Sequence, residues 1–238
     1  MEKKIDFELF KKLLELEHQK YVPTNDIEGF NKYETYLNNF TNELKRYISG
    51  KGFVVEYGCG NGNLAYIPWI RIAYPEISSD NKKGFFIGYQ FGWDDHQAFL
   101  SILQGVDSIP PSEQKSVLLH NRDILRPLIS TDSFIKPTRD WTPRIEGPKA
   151  KIKRGTSYAD AMICYKPYQI TRLPSPEELE KDLLEAITIY DEVKPLVIKH
   201  KLVNYNNINN STTQTSNAPR IRIIKKNSEE YLNSPTRK

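Results

Sequence analysis

Residues 53–73 read Phe53-Val-Val-Glu-Tyr-Gly-Cys-Gly60-Asn-Gly-Asn-Leu-Ala-Tyr-Ile-Pro-Trp69-Ile-Arg-Ile-Ala73, and the fold depends on whether the chain leaves the glycines as a helix or as a strand. Phe53 to Tyr57 is β-branched and aromatic, as a strand should be. Glycines at 58, 60 and 62 free the chain to turn tightly. A helix after Gly62 would imply a parallel α/β fold; a second strand implies an antiparallel one. Leu64 to Ala73 is rich in isoleucine and aromatic residues and is interrupted by Pro68, which has no backbone N–H to give a helix. The expectation is therefore a strand over Ala65 to Tyr74.

The competing reading is specific. Val54 to Leu64 resembles the first motif of Rossmann-like S-adenosylmethionine methyltransferases, in which glycines let the backbone approach the cofactor. That fold needs a helix at once, and by analogy with ribose-binding folds an acidic strand end roughly 20 residues on. Here Pro75-Glu-Ile-Ser-Ser-Asp80 reads as a turn, and no Asp-Pro-Pro-Tyr-like segment occurs later. Methyl transfer through a Gly58–Gly62 cofactor loop is the alternative to test.

Working outward, Asp6 is placed to cap a helix with Phe10, Leu13, Leu14 and Tyr21 on one side. A second helix carries Tyr33, Leu37, Phe40, Leu44 and Ile48 and stops at Gly50 and Gly52. Lys83 to Phe91 and Gln97 to Leu103 read as strands joined by a turn at Gly92 to His96, with Asp94 and Asp95 as turn residues. Ser112 to Ile129 reads as a helix with Val117, Ile124 and Leu128 on one side, succeeded by a loop containing Pro137, Trp141 and Pro143. Lys149 to Lys153 and Tyr158 to Ile170 read as strands. Ser175-Pro-Glu-Glu178 is a capping box opening a helix through Leu179, Leu183, Ile187, Tyr190 and Val193, with Pro195 as its expected end. The predicted class is α+β, a curved and largely antiparallel sheet flanked by helices. Residues 1–200 are expected to form the domain. Residues 201–238, polar and then basic, are expected to be a linker or tail.

Composition narrows the function classes. Of 238 residues, 38% are hydrophobic and 11% aromatic, enough for a substantial core, and the formal charge of +4 is compatible with a polyanion. Cys59 and Cys164 stand far apart with no zinc spacing, which predicts free thiols. His18, His96, His120 and His200 are scattered and are assigned no role. No signal peptide or membrane-length apolar run is visible, so a cytoplasmic location is expected.

Further motifs carry a resemblance. Gly60-x-Gly62-Asn63 with Ile67-Pro68-Trp69, then Lys83-Gly84 before an aromatic strand, then Phe99-Leu-Ser-Ile-Leu-Gln-Gly105, resemble the amino-terminal domain of McrB-type restriction proteins. Those are recognition subunits of modification-dependent (type IV) restriction systems. Gly155-Thr-Ser-Tyr158, Tyr165-Lys-Pro-Tyr168, Leu173 to Leu179 and Ile189-Tyr-Asp191 continue the likeness in order, so it spans roughly residues 35–195.

The resemblance implies binding of duplex DNA at a modified cytosine, 5-methylcytosine or a relative, flipped into a protein pocket, with no cofactor or metal. Extrusion costs a few kcal/mol of stacking, which aromatic walls must replace while cations hold the duplex. The expected pocket comprises Trp69, Phe86, Gln90 and Asn61, with Phe86 at a position where tyrosine is common. The expected groove loop comprises Gly60, Gly62, Asn63, Tyr66 and Arg71, and the phosphate contacts Lys82, Lys83, Lys151, Lys153 and Arg154. McrB-type proteins also carry a GTP-hydrolysing AAA+ motor. This chain has no G-x-x-x-x-G-K-[S/T] motif and no nuclease signature, so motor and nuclease are expected as partners. An excised domain and a stand-alone relative both fit that pattern.

Overall fold

The computed structural model describes residues 4–17, 27–60, 64–93, 97–141, 145 and 149–202. Their elements run α1 (Glu8–Glu17), α2 (Ile27–Tyr47), β1 (Val54–Gly58), β2 (Trp69–Ala73), β3 (Phe85–Trp93), β4 (Gln97–Gln104), α3 (Gln114–Leu125), α4 (Lys149–Ala161), β5 (Met162–Gln169) and α5 (Pro176–Lys199). The five strands form one open, curved sheet in the order β1-β2-β3-β4-β5, every neighbouring pair antiparallel. The fold is mixed α+β.

Helices cover both faces, and that explains the sequence of the central strands. Phe85, Ile87, Tyr89 and Phe91 enter the larger core with α1, α2 and α5, while Phe86, Phe99 and Leu103 enter a smaller one with α3 and α4. Strands buried on both sides read as near-continuous apolar runs, not as alternation. Phe10 sits at the centre of the larger core, its ring 5.5–5.8 Å from those of Phe40, Tyr89, Phe91 and Tyr168.

Several local expectations hold atom by atom. The Glu8 N–H donates to Asp6 Oδ1 at 3.0 Å. Gly50 and Gly52, after α2, take φ of +84° and +80°, the left-handed region that glycine adopts without strain. In the capping box the Glu178 N–H donates to Ser175 Oγ and the Ser175 N–H to Glu178 Oε2.

Other expectations are corrected. Lys149–Ala161 is one helix, and the next strand starts at Met162, not Tyr158. The lysine alternation at its start imitates a strand, but Gly155 lies under the Ile145 side chain and Ala159 and Ala161 are buried, so small residues let a helix approach closely. In α3 the buried face is Leu118, Leu119 and Leu125 with Asn121 and Arg122, whereas Leu128 is 49% exposed. A short 3-10 turn at Arg126–Leu128 ends it where Pro127 withholds a backbone donor. Pro195 lies inside α5, which continues to Lys199 because Val197 and then Leu202 are buried in the core. β2 begins at Trp69 rather than Ala65. Pro68 contributes only its carbonyl, which accepts from the Phe91 N–H at 2.8 Å. Tyr21, residues 94–96, Pro143 and the expected tail from 203 lie outside the described residues.

Candidate nucleic-acid interface

Antiparallel register puts paired residues on the same face of a sheet. Gly58, Trp69, Gln90, Phe99 and Pro167 are successive partners across the five strands, and Glu56, Arg71, Gly88, Ser101 and Tyr165 form the next row. This face carries the candidate site. Its β1 side is open, since Glu56 is exposed, so Trp69 stays half-buried beside the covered centre.

Gly58 determines where Trp69 lies. A methyl group built on Gly58 would be 2.5 Å from Trp69 Cζ2 and 2.7 Å from Cε2, so the indole occupies the space above the glycine. The glycine that resembled part of a cofactor loop is a seat for a tryptophan. Beyond it the chain closes on itself: the Ala65 N–H donates to the Cys59 carbonyl at 2.5 Å, joining the ends of the segment that contains residues 61–63. Gly60, at φ +113°, is held where only glycine is unstrained. Asn61, Gly62 and Asn63 lie outside the described residues, and Tyr66 is half-buried against the smaller core.

Gln90 is 2% exposed. Its Oε1 lies 3.1 Å from the Ser101 hydroxyl, which is also 3.3 Å from the Gly88 carbonyl. This leaves Nε2 without a hydrogen-bond partner among the described residues. A buried amide donor beside a half-buried indole suits a planar ligand that offers an acceptor.

Two expected site residues are placed elsewhere. Arg71 is 1% exposed and works as an internal brace. Its Nη1 donates to the carbonyl and hydroxyl of Ser78, both at 2.7 Å, and its Nη2 pairs with Glu56 Oε2 at 2.8 Å. It therefore ties β1 to the β2–β3 connection and cannot also reach a groove. Phe86 shares the face with Trp69 but lies four residues along β3 from Gln90, roughly 13 Å at ordinary strand rise, inside the smaller core at 6% exposure.

The expected phosphate contacts gather at the sheet end opposite Trp69. The Ser108 N–H donates to the Lys82 carbonyl, the Gly105 N–H to the Gly84 carbonyl, and Gly105 packs tightly on the Lys82–Lys83 backbone. Arg154 of α4 reaches the same loop through Asp107 at 2.6 Å. Positions far apart in sequence thus share one end. Lys82 and Lys153 are exposed, and Lys83 and Lys151 are intermediate. Arg154 is partly neutralised by its carboxylate partner.

Sequence reasoning missed an aromatic group on the same face. Trp141 stacks on Tyr165 with centroids 4.4 Å apart, and Phe99 meets Tyr165 edge-on at 5.4 Å. The signal was alternation: Phe99 and Ser101 share a face, and Tyr165 opposes Ser101. Trp141 itself was placed only by the chain path, since the Ile135 and Tyr165 backbones exchange hydrogen bonds and bring residues 135–141 alongside β5.

The arrangement excludes the rival reading. The glycine segment leads into an antiparallel strand instead of a helix, and no strand pair among the described residues is parallel, so the S-adenosylmethionine crevice has no scaffold here. Burial pushes the Cys59 thiol up to about 12, against nucleophilic use. Among the described residues no cluster of His, Cys, Asp or Glu is placed to hold a metal ion, and no helix is long and apolar enough to cross a membrane.

The fold and face are those of a sheet-based α+β domain with an aromatic, amide-bearing surface and a separate cationic end. Residues 15–195 match the family described as MrcB-like, N-terminal domain, and the chain belongs to that family. The match takes in every residue of both rows and the cationic end. No curated protein and no solved structure matches the chain.

Proposed function

We propose that this domain binds duplex DNA at a modified base, 5-methylcytosine or a related modified cytosine, and is the specificity module of a restriction system. The base is extruded against Trp69 with Gln90 reading its edge. The observation that carries this reading is the Gln90 amide, buried, held at one end by Ser101 and open at the other, next to an indole fixed by Gly58. Unstacking a base costs a few kcal/mol, and an aromatic wall with one directed hydrogen bond recovers energy of that size. Lys82, Lys83, Lys151 and Lys153 hold phosphates, with the loop at 60–63 entering the groove. The domain works with a GTP-hydrolysing motor and a nuclease.

Fluorescence anisotropy with otherwise identical duplexes carrying cytosine, 5-methylcytosine, 5-hydroxymethylcytosine or N6-methyladenine tests the proposal. Tighter binding to one or more modified cytosines supports it. Equal affinity across the series contradicts it.

A further inference from the structure

We infer that Trp141 is a second specificity-determining ring of the base site, across Gln90 from Trp69, and that two arginines of α3 and its terminal turn fix its position. The inference rests on the base-recognition reading of this face. An extruded base loses its stacked neighbours, and beyond the face that Trp69 offers it needs contact along its edge, which lies toward Gln90 and Trp141.

Trp141 lies over the other half of the same rows. Its ring stacks on Tyr165 at 4.4 Å and 25° and meets Phe99 edge-on at 6.3 Å and 89°. Phe99 is the next residue after Gln90 in the Trp69 row, so the two tryptophans stand over opposite sides of β3. Adjacent strands are about 4.8 Å apart, which separates the Trp69 and Phe99 backbones by roughly 10 Å, with Gln90 between them. Phe99 and Tyr165 are 2% and 5% exposed, whereas Trp141 is half-buried and keeps surface for a ligand.

The backbone leading to Trp141 is irregular yet held from α3 and the turn that ends it. Arg126 Nη1 donates to the Pro137 carbonyl at 2.6 Å. Arg122 Nη2 lies 3.2 Å from the Thr138 carbonyl and 3.4 Å from that of Arg139, and the Trp141 N–H donates to Thr138 as well. Arg122 is 0% exposed and reaches the Ala159 carbonyl of α4 through Nη1. Burying a guanidinium carries a large desolvation penalty. Directed at successive carbonyls of this segment, the two arginines preset the ring before any ligand arrives, which lowers the entropic cost of capture.

The test compares wild type, Trp141→Ala and Trp141→Phe on matched plain and 5-methylcytosine duplexes, with melting curves alongside. The expected result is at least a tenfold loss of discrimination for Trp141→Ala, plain-duplex affinity within about twofold of wild type, and substantial recovery in Trp141→Phe. Unchanged discrimination in a folded Trp141→Ala protein, or parallel weakening on both duplexes, overturns the inference. Should that variant not fold, Trp141→Leu, which keeps an apolar side chain against Tyr165 and Phe99, takes its place. It should lose discrimination to the same extent, and wild-type discrimination in a folded Trp141→Leu protein overturns the inference. A wild-type protein blind to modification overturns the base-recognition reading itself, a distinct outcome read from the same titration.

Discussion

The Trp69 indole lies across the backbone of Gly58 on the neighbouring strand, so close that a single methyl at 58 would fall 2.5 Å from Cζ2. Gly58→Ala must therefore displace the ring. Overpacking of this kind costs about 1–3 kcal/mol, at the low end here because the half-buried indole can move toward solvent. The expected outcome is a small shift in urea midpoint with a several-fold loss of preference for modified duplex by anisotropy. An unchanged preference would separate Trp69 geometry from recognition.

Arg71 gives the opposite pattern. Arg71→Met removes the donors to Ser78 and the partner of Glu56, leaving a buried carbonyl and hydroxyl short of a donor. The expected cost is about 2–4 kcal/mol in denaturant unfolding. Discrimination between duplexes, measured where the variant is folded, should match wild type.

The cationic end should act without regard to sequence or modification. Lys82→Gln and Lys153→Gln are expected to weaken plain and modified duplexes by the same factor, each lowering the slope of log affinity against log salt by about 1. Arg154 is held by Asp107 at 2.6 Å, so Asp107→Asn should release it and raise affinity at low salt. Titrations between low and moderate salt check both.

The two thiols provide a pH test. Burial pushes both Cys59 and Cys164 up to about 12, so neither is a thiolate near neutrality in the folded protein. At a mildly alkaline pH the native protein should resist a thiol-specific chromogenic reagent, while the unfolded protein in urea releases the signal of both thiols. Rapid native labelling would contradict the burial of Cys59 and Cys164.

How far the sequence foretold this arrangement depended on the residue types involved. The antiparallel reading of 53–73 was legible because Pro68 and the isoleucines bar a helix, and the capping box at Ser175 was legible because it is local. The α4 region was misread because lysines alternate with apolar residues there while its buried positions are glycine and alanine, which leave little hydrophobic signal. The buried face of α3 was hidden for a related reason: Asn121 and Arg122 look like surface residues until Gln104, Thr138 and Ala159 are brought to them. At the candidate site, Trp69 was named from the resemblance and Gln90 from alternation along its strand, while their pairing across β2 and β3 was not legible in the sequence. Arg71 was misassigned because its partners come from a turn and a neighbouring strand. That Trp141 reaches this face was invisible in the sequence, because a long-range backbone pairing at Ile135 carries it to the sheet.

The most direct test of the account compares wild type with Trp69→Ala on the same pair of duplexes, plain and 5-methylcytosine, titrated at two salt concentrations. The account predicts that the variant loses its preference for the modified duplex and keeps the weak, salt-sensitive binding that any DNA receives. A folded Trp69→Ala protein that still prefers the modified duplex as strongly as wild type would contradict it.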